Sequence, residues 1–417
     1  MMLKFFGGAQ EVGRSAILLK DDTTLLLDYG IKLNHGIEYP TEVTKTDAFV
    51  LSHAHLDHCG FAPTLYNEML IPSFGTEPTL ELSELLLNDA LNIAKKEHKQ
   101  QRYHKKQIAT FMHRYTSLEY GNGAMLGNFN IEMYDAGHIC GSAITLIERK
   151  NAKDNKRVVY TGDFKLEPQF LHKGAEIVKG DILIMESTYA TREHPDRNET
   201  MKKLVESIKE TLDNKGNVLL PVFAVGRSQE LLTLLYKNNL TQYAYLDGMA
   251  RTATSIVLRN SNFIDNAASL EKAVSETTLI KSQEDRFDAL NGPSIIMTTA
   301  GMLTGGPVLE YITKLKNNSK IFLTGYQVEG SNGRTLLEKG FVTLKEKPVK
   351  IPTPTEFYDM SAHAGKKDLH EYVKRSSPGK VICVHGDKDN SIELAESLKL
   401  EGYEAYAPKL GETLKFD

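Results

Sequence analysis

Cysteine is scarce in this chain, basic residues are not in excess, and no uninterrupted apolar run approaches the length of a bilayer span. Each shortage excludes something. Cys59, Cys140 and Cys383 are the only cysteines in 417 residues. That is too few, and an odd number, for a disulfide framework, and it points to a reducing compartment. A formal net charge of −4 argues against holding a polyanion by bulk attraction, so any such contact must be local. The stretch Met1–Gly8 carries too little apolar sequence before its glycines to act as a signal peptide, and a cytoplasmic protein is expected. Repeats, coiled-coil heptads and low-complexity linkers are missing too.

What is present describes an ordinary globular chain, with 41% hydrophobic and 25% charged residues. Its length exceeds the size at which one core usually stops growing, so two domains are expected. Short apolar runs at Leu3–Phe6, Ala16–Leu19, Leu25–Asp28 and Ala48–Ser52, broken by Gly or Asp, predict an opening β-meander. Leu80, Leu82, Leu85, Leu86, Ala90, Leu91, Ile93 and Ala94 recur at helical spacing and predict a helix from Glu77 to about Gln101. Strands are expected again at Phe129–Tyr134, Ala143–Ile147, Val158–Thr161 and Ile182–Met185. After Thr188, helical patterns alternate with β-branched runs at Val218–Pro221, Tyr243–Leu246, Ile295–Thr299 and Ile321–Thr324, which predicts a parallel α/β unit. A strand at Val381–Val384 and a helix near Ser391–Leu400 then return to polar motifs like those of the first segment, as if one domain interrupts another.

His53-Ala54-His55-Leu56-Asp57-His58 follows the run Ala48–Ser52 directly. Three imidazoles and a carboxylate on one turn at a strand end form a strong ligand set for a borderline metal such as zinc. The alternative is a polar loop that happens to be rich in histidine. Asp135-Ala136-Gly137-His138, Thr161-Gly162-Asp163 and His385-Gly386-Asp387 also follow apolar runs. Singly, His138 or His385 reads as a satisfied structural histidine and Asp163 as a turn former. Recurrence at strand ends favours ligands.

In that order, these motifs resemble the metallo-β-lactamase superfamily. Glu186-Ser187-Thr188-Tyr189, Met360-Ser361-Ala362-His363-Ala364 and Val384-His385-Gly386 resemble the three further motifs of the β-CASP family. Gln10–Ser15 and Ala300–Pro307 resemble the branch of the eukaryotic cleavage and polyadenylation endonuclease and its archaeal relatives, here of a type without a KH domain. The chain is less like the bacterial RNase J type, with its added carboxy-terminal domain.

The resemblance implies an α/β architecture: an αββα metallo-β-lactamase sandwich, residues 1–188 with 356–417, and an inserted parallel α/β β-CASP domain, residues 189–355. It implies two Zn2+, with Mn2+ the next choice, one held by His53, His55 and His138, the other by Asp57, His58 and His385, and Asp163 bridging. Paired cations roughly 3.5–4 Å apart activate water and clamp the attacked phosphate, but supply no proton to the departing oxygen. His363 is the candidate acid, with Glu186 as the carboxylate that orients it and raises its pKa; a helix-capping role is the alternative for His363. Asp28 is either a support for a ligand histidine or a turn former before Tyr29-Gly30. Cys59 and Cys140, near ligand motifs, read as packing residues.

The implied activity is hydrolysis of RNA phosphodiester bonds, as an endonuclease of 3′-end processing or decay, with 5′→3′ exonuclease as the alternative. Single-stranded RNA is the expected partner, joined by protein partners of a processing or decay complex and by a second copy in a homodimer. Weak candidates for RNA contact are Arg227 and Ser228, Thr299 and Gly301, and Tyr326, each just past a strand of the inserted unit. Arg227 reads equally as a surface salt bridge. The basic stretch Lys95, Lys96, Lys99, Arg102, Lys105 and Lys106 reads as a solvated face. Two rivals remain: a small-molecule hydrolase with the same metals, against which the large insert argues, and a non-catalytic RNA-binding subunit, against which the filled ligand positions argue.

Overall fold

The computed structural model describes residues 1–33, 36–150 and 155–416. The chain forms two compact units, residues 1–193 with 362–417, and residues 194–361.

The first unit is a sandwich of two seven-stranded sheets. One sheet runs Thr413–Lys415, Met2–Gly7, Ala16–Lys20, Thr24–Leu27, Ala48–Val50, Ser73–Gly75, Tyr115–Ser117. The other runs Glu404–Tyr406, Lys380–Val384, Ile182–Glu186, Arg157–Tyr160, Ala143–Arg149, Phe129–Asp135, Gly123–Leu126. Period-two alternation assigns the faces. Leu25, Leu27, Ala48, Val50, Ile182 and Ile184 join the core between the sheets. Leu26, Phe49 and Leu51 turn outward under the helices Glu77–Lys96 and Lys105–His113. Leu183 and Met185 turn outward under Lys366–Ser376 and Lys388–Leu400. Helices thus cover both outer faces, which is why these strands are apolar throughout instead of alternating with polar residues. Each fully buried Leu, Ile or Phe contributes about 1.5–3 kcal/mol against the entropy of ordering the chain.

Two expectations are corrected. The opening strands are not a meander: the first three pair antiparallel, but Ala48–Val50 joins Thr24–Leu27 in parallel. The twenty residues between them leave room for the crossover that a hairpin would forbid. The long helix ends at Lys96, short of Gln101, because His98 takes a left-handed conformation (φ 53°) that a helix cannot continue.

The second unit holds a six-stranded sheet in the order Thr278–Leu279, Ala244–Asp247, Ser294–Thr298, Asn217–Pro221, Lys320–Leu323, Thr355–Phe357. Every pairing in it is parallel. Thr355–Phe357 belongs to this sheet, so the chain leaves the second unit only after it. Among the described residues no helix is long and apolar enough to cross a membrane.

Candidate metal centre

Strand direction gathers the polar groups. Lys380–Val384, Ile182–Glu186 and Arg157–Tyr160 are parallel neighbours, so His385, Glu186 and Asp163 emerge along one edge. Phe129–Asp135 is two antiparallel steps further on and points the same way, which adds His138. In the facing sheet Thr24–Leu27 and Ala48–Val50 run in parallel, and deliver Asp28 and the turn His53–His58. Gly30 lets that turn close: a Cβ there would lie 1.7 Å from the Asp57 carbonyl oxygen.

Among the described residues three groups that could hold a cation share Asp163, which is 1% exposed: two histidine-rich ligand sets, and a third of Asp163 with Glu186 and His363. In the first, His55 Nδ1 is 3.2 Å from both His53 Nε2 and His138 Nε2, and His53 Nε2 is 3.5 Å from Asp163 Oδ2. In the second, His58 Nε2 lies 3.3 Å from Asp163 Oδ2, His385 Nδ1 3.2 Å from Asp163 Oδ1, and His385 Nε2 3.4 Å from Asp57 Oδ2. In the first set the nitrogens of three rings that burial keeps neutral, His53, His55 and His138, converge within hydrogen-bond distance of one another. His58 Nε2 and Asp163 Oδ1 are buried and lack a well-formed hydrogen bond among the described residues, their contacts being the ion pairs with Asp163 Oδ2 and His385 Nδ1. Such groups are costly to strand unless a cation satisfies them, so this donor set fits divalent metal.

The charges agree. Burial pushes His53 and His138 well below the ordinary imidazole value, and neighbouring histidines push further; His55 is lowered mainly by burial. Burial opposes the charged form of His58 as well, but Asp163 and Asp28 outweigh it and raise its pKa. Burial alone would raise Asp163, yet His385 and His58 hold it well below the carboxylate range.

Supporting groups fix the rings. Asp28 Oδ2 is 2.6 Å from His58 Nδ1 and also accepts from Ser52 Oγ and Tyr160 OH, both at 2.7 Å, while Oδ1 accepts from the Ser52 N–H at 2.8 Å. His58 Nδ1 therefore carries the proton, leaving Nε2 to face Asp163. His138 Nδ1 lies 2.8 Å from the Ala362 carbonyl oxygen.

Beside the two sets, His363 Nδ1 is 3.0 Å from Glu186 Oε2 and 3.9 Å from Asp163 Oδ2, and the ring is 22% exposed. Glu186 also accepts from the Phe164 N–H at 2.8 Å. Burial pulls the His363 pKa down, but Glu186 and then Asp163 outweigh it and push it up to about 9. Residue 363 lies outside any helix, and the next helix is preceded by Gly365, so a capping role does not apply.

The inserted-unit candidates sit past the ends of adjacent strands. Arg227 and Ser228 open the helix Arg227–Lys237, both buried; Ser228 Oγ donates to the Ala224 carbonyl and accepts from Gln229. Thr299 and Gly301 follow Ser294–Thr298, and Tyr326, half-exposed, follows Lys320–Leu323. Gln327 Nε2 donates to the Gly301 and Gly325 carbonyls and ties two of these loops together.

Sequence reasoning missed several supports. The Gly13 N–H donates to His385 Nε2 at 3.2 Å, which gives the Gln10–Ser15 motif a physical task. Gln169 donates to the carbonyls of Gly137 and His138. Tyr160, the last residue of its strand, had no signal apart from its place before Thr161-Gly162-Asp163.

Comparison with known proteins places the chain among its relatives. The model of the Beta-Casp domain matches residues 228–336, and that of the Zn-dependent metallo-hydrolase RNA specificity domain matches residues 348–408. The model of the anti-Pycsar protein Apyc1 matches residues 8–212. Probable RNase MJ4 of Methanocaldococcus jannaschii is 39% identical across all of both chains. RNase aCSPSF2 of Saccharolobus solfataricus is 35% identical over 99% of this chain and 85% of its own. Transcription termination factor FttA of M. jannaschii is 34% identical over 95% of this chain and 68% of its own. A crystal structure of a protein of unknown function from Enterococcus faecalis V583 superposes with a TM-score of 0.61 at 15% identity, covering 99% of both chains, a likeness of fold alone.

Proposed function

The chain belongs to the β-CASP ribonucleases of the metallo-β-lactamase fold, and from that premise we propose that it is a two-zinc endoribonuclease of RNA 3′-end processing or decay. It is a metal-dependent ribonuclease. The observation that carries the finer reading is the sharing of Asp163 between two ligand sets, with buried ring and carboxylate atoms left for cations.

His53, His55 and His138 would hold one cation, Asp57, His58 and His385 the other, with Asp163 common to both. When bound, such a pair supplies Lewis acidity toward phosphate oxygens and makes hydroxide accessible near neutral pH. His363 donates the proton that the departing oxygen needs: Glu186 holds its Nδ1, so the transferable proton is on Nε2. Nearby cations would lower the His363 pKa from about 9 toward the working range, which a carboxylate partner makes tolerable. Arg227, Thr299, Gly301 and Tyr326 would contact the RNA chain, Arg227 through phosphate. We place the protein in the cytoplasm, as a homodimer, working with protein partners that choose its targets.

Purified protein loaded with Zn2+ and given matched circular and linear RNAs tests the mode of attack. Cleavage of the circle is expected. A linear substrate shortened from its 5′ end, with the circle untouched, would replace the endonuclease by a 5′→3′ exonuclease. Hydrolysis of neither RNA would overturn the functional reading.

A further inference from the structure

We propose that the segment from Lys95 to Arg114 is a second contact for single-stranded RNA, built from residues none of which belongs to the metal centre; this rests on the ribonuclease reading. Between residues 92 and 114 the chain carries Lys95, Lys96, Lys99, Arg102, Lys105, Lys106 and Arg114 against a single acidic residue, Glu97, in a molecule whose net charge is −4. All seven are exposed. Only Lys99 pairs with a carboxylate among the described residues, Glu97 at 2.6 Å.

A solvated helix face accounts for part of this. Lys95 and Lys96 lie in the last turn of Glu77–Lys96, where cations complement the helix dipole. Lys105 and Lys106 do the reverse. They are the first two residues of Lys105–His113, whose first turn has no acidic residue, so they repel the positive end of their own helix and each other. Folding gives no reason for them.

Arg102 adds a feature that suits nucleic acid. Its guanidinium lies 5.1 Å from the Tyr39 ring centroid and 5.7 Å from that of Phe61. Held against two rings yet exposed, it is a flat cation that can stack on a base at small entropic cost. Lysines spaced along a surface with one stacking group match a single strand, whose charges repeat and whose bases are unpaired. An acidic protein segment would use the lysines but not the stack.

The test measures binding of metal-loaded protein to a labelled, phosphorothioate-linked oligouridylate by anisotropy across a salt series, beside hydrolysis of bis(p-nitrophenyl) phosphate. Replacing Lys95, Lys96, Lys99, Lys105 and Lys106 by Gln should leave hydrolysis of the small diester unchanged. It should flatten the slope of log affinity against log salt by up to about 3.5, since each phosphate that is no longer neutralised accounts for about 0.7. Arg102→Gln, a single surface change, should weaken binding severalfold, and polyglutamate of matched charge should compete far less well than RNA. An unchanged slope in the lysine variant, with small-diester hydrolysis retained, would overturn the proposal, as would equal competition by polyglutamate, which would assign the surface to an acidic protein. Wild-type protein that binds no RNA at low salt would instead sink the ribonuclease reading itself.

Discussion

His58 illustrates how a buried imidazole becomes a directed ligand. Asp28 accepts the hydrogen bond from its Nδ1–H, and Ser52 and Tyr160 hold Asp28 in turn, so the ring has one orientation and one nitrogen for metal. Asp28→Asn removes the charge while tolerating the left-handed backbone at that position (φ 54°). It should weaken metal binding by about 10–100-fold, measured by competition with a chromophoric chelator. Unchanged affinity would reduce Asp28 to a turn former. His363 is a different case, since it is assigned the proton for the departing oxygen and no metal. His363→Ala should keep metal content and lower turnover by about 10²–10⁴-fold; a parallel loss of metal would move His363 into the ligand set. Because Glu186 raises the His363 pKa, Glu186→Gln lowers it, and less of the acid form survives at a given pH. The high-pH limb of the rate profile should therefore shift to lower pH. A limb that stays in place would assign the proton to another group.

At the scale of elements, strands carry the site and glycines let them meet. Gly30→Ala would drive a Cβ into the Asp57 carbonyl, so it should destabilise the fold by about 1–3 kcal/mol or more and lower metal content at the same time. Thermal unfolding of metal-free protein checks the first effect and elemental analysis the second; a melting temperature unchanged from wild type would show that the turn can yield. Legibility follows the same division. The inner sandwich strands could be read because both their faces are covered, which leaves apolar runs such as Val158–Tyr160 and Val381–Val384 ahead of Asp163 and His385, while Phe129–Asp135 ahead of His138 alternates with period two. Lys105–His113 is not legible as a helix because its lysines and short length hide the buried pair Ile108 and Phe111. The hairpin of Phe341–Leu344 with Lys347–Lys350 is not legible either, since its strands are mostly exposed and its turn is Lys345-Glu346, both at positive φ without glycine or asparagine. Backbone donors and acceptors such as the Gly13 N–H on His385 and the Ala362 carbonyl on His138 have no sequence signature at all. They depend on which loops the fold brings together.

For the whole molecule, metal binding, protonation and stability are one coupled equilibrium. His58 and His385 are held above the ordinary imidazole value in the metal-free protein, so a cation must displace their protons. Their ion pairs with Asp163 stabilise the metal-free fold below about pH 6.5 and lose that effect as pH rises through the raised values. Metal affinity changes in the opposite sense. The gap in melting temperature between metal-loaded and metal-free protein should therefore widen from pH 6 to pH 8, and a constant or narrowing gap would count against these histidines as ligands. The most direct test of the two-cation centre is to strip the protein with a chelator, add back Zn2+ in known equivalents, and follow RNA cleavage together with bound metal. Activity should be absent without metal and should saturate at two equivalents per chain. Full activity at one equivalent, or cleavage that persists in the stripped protein, would contradict it.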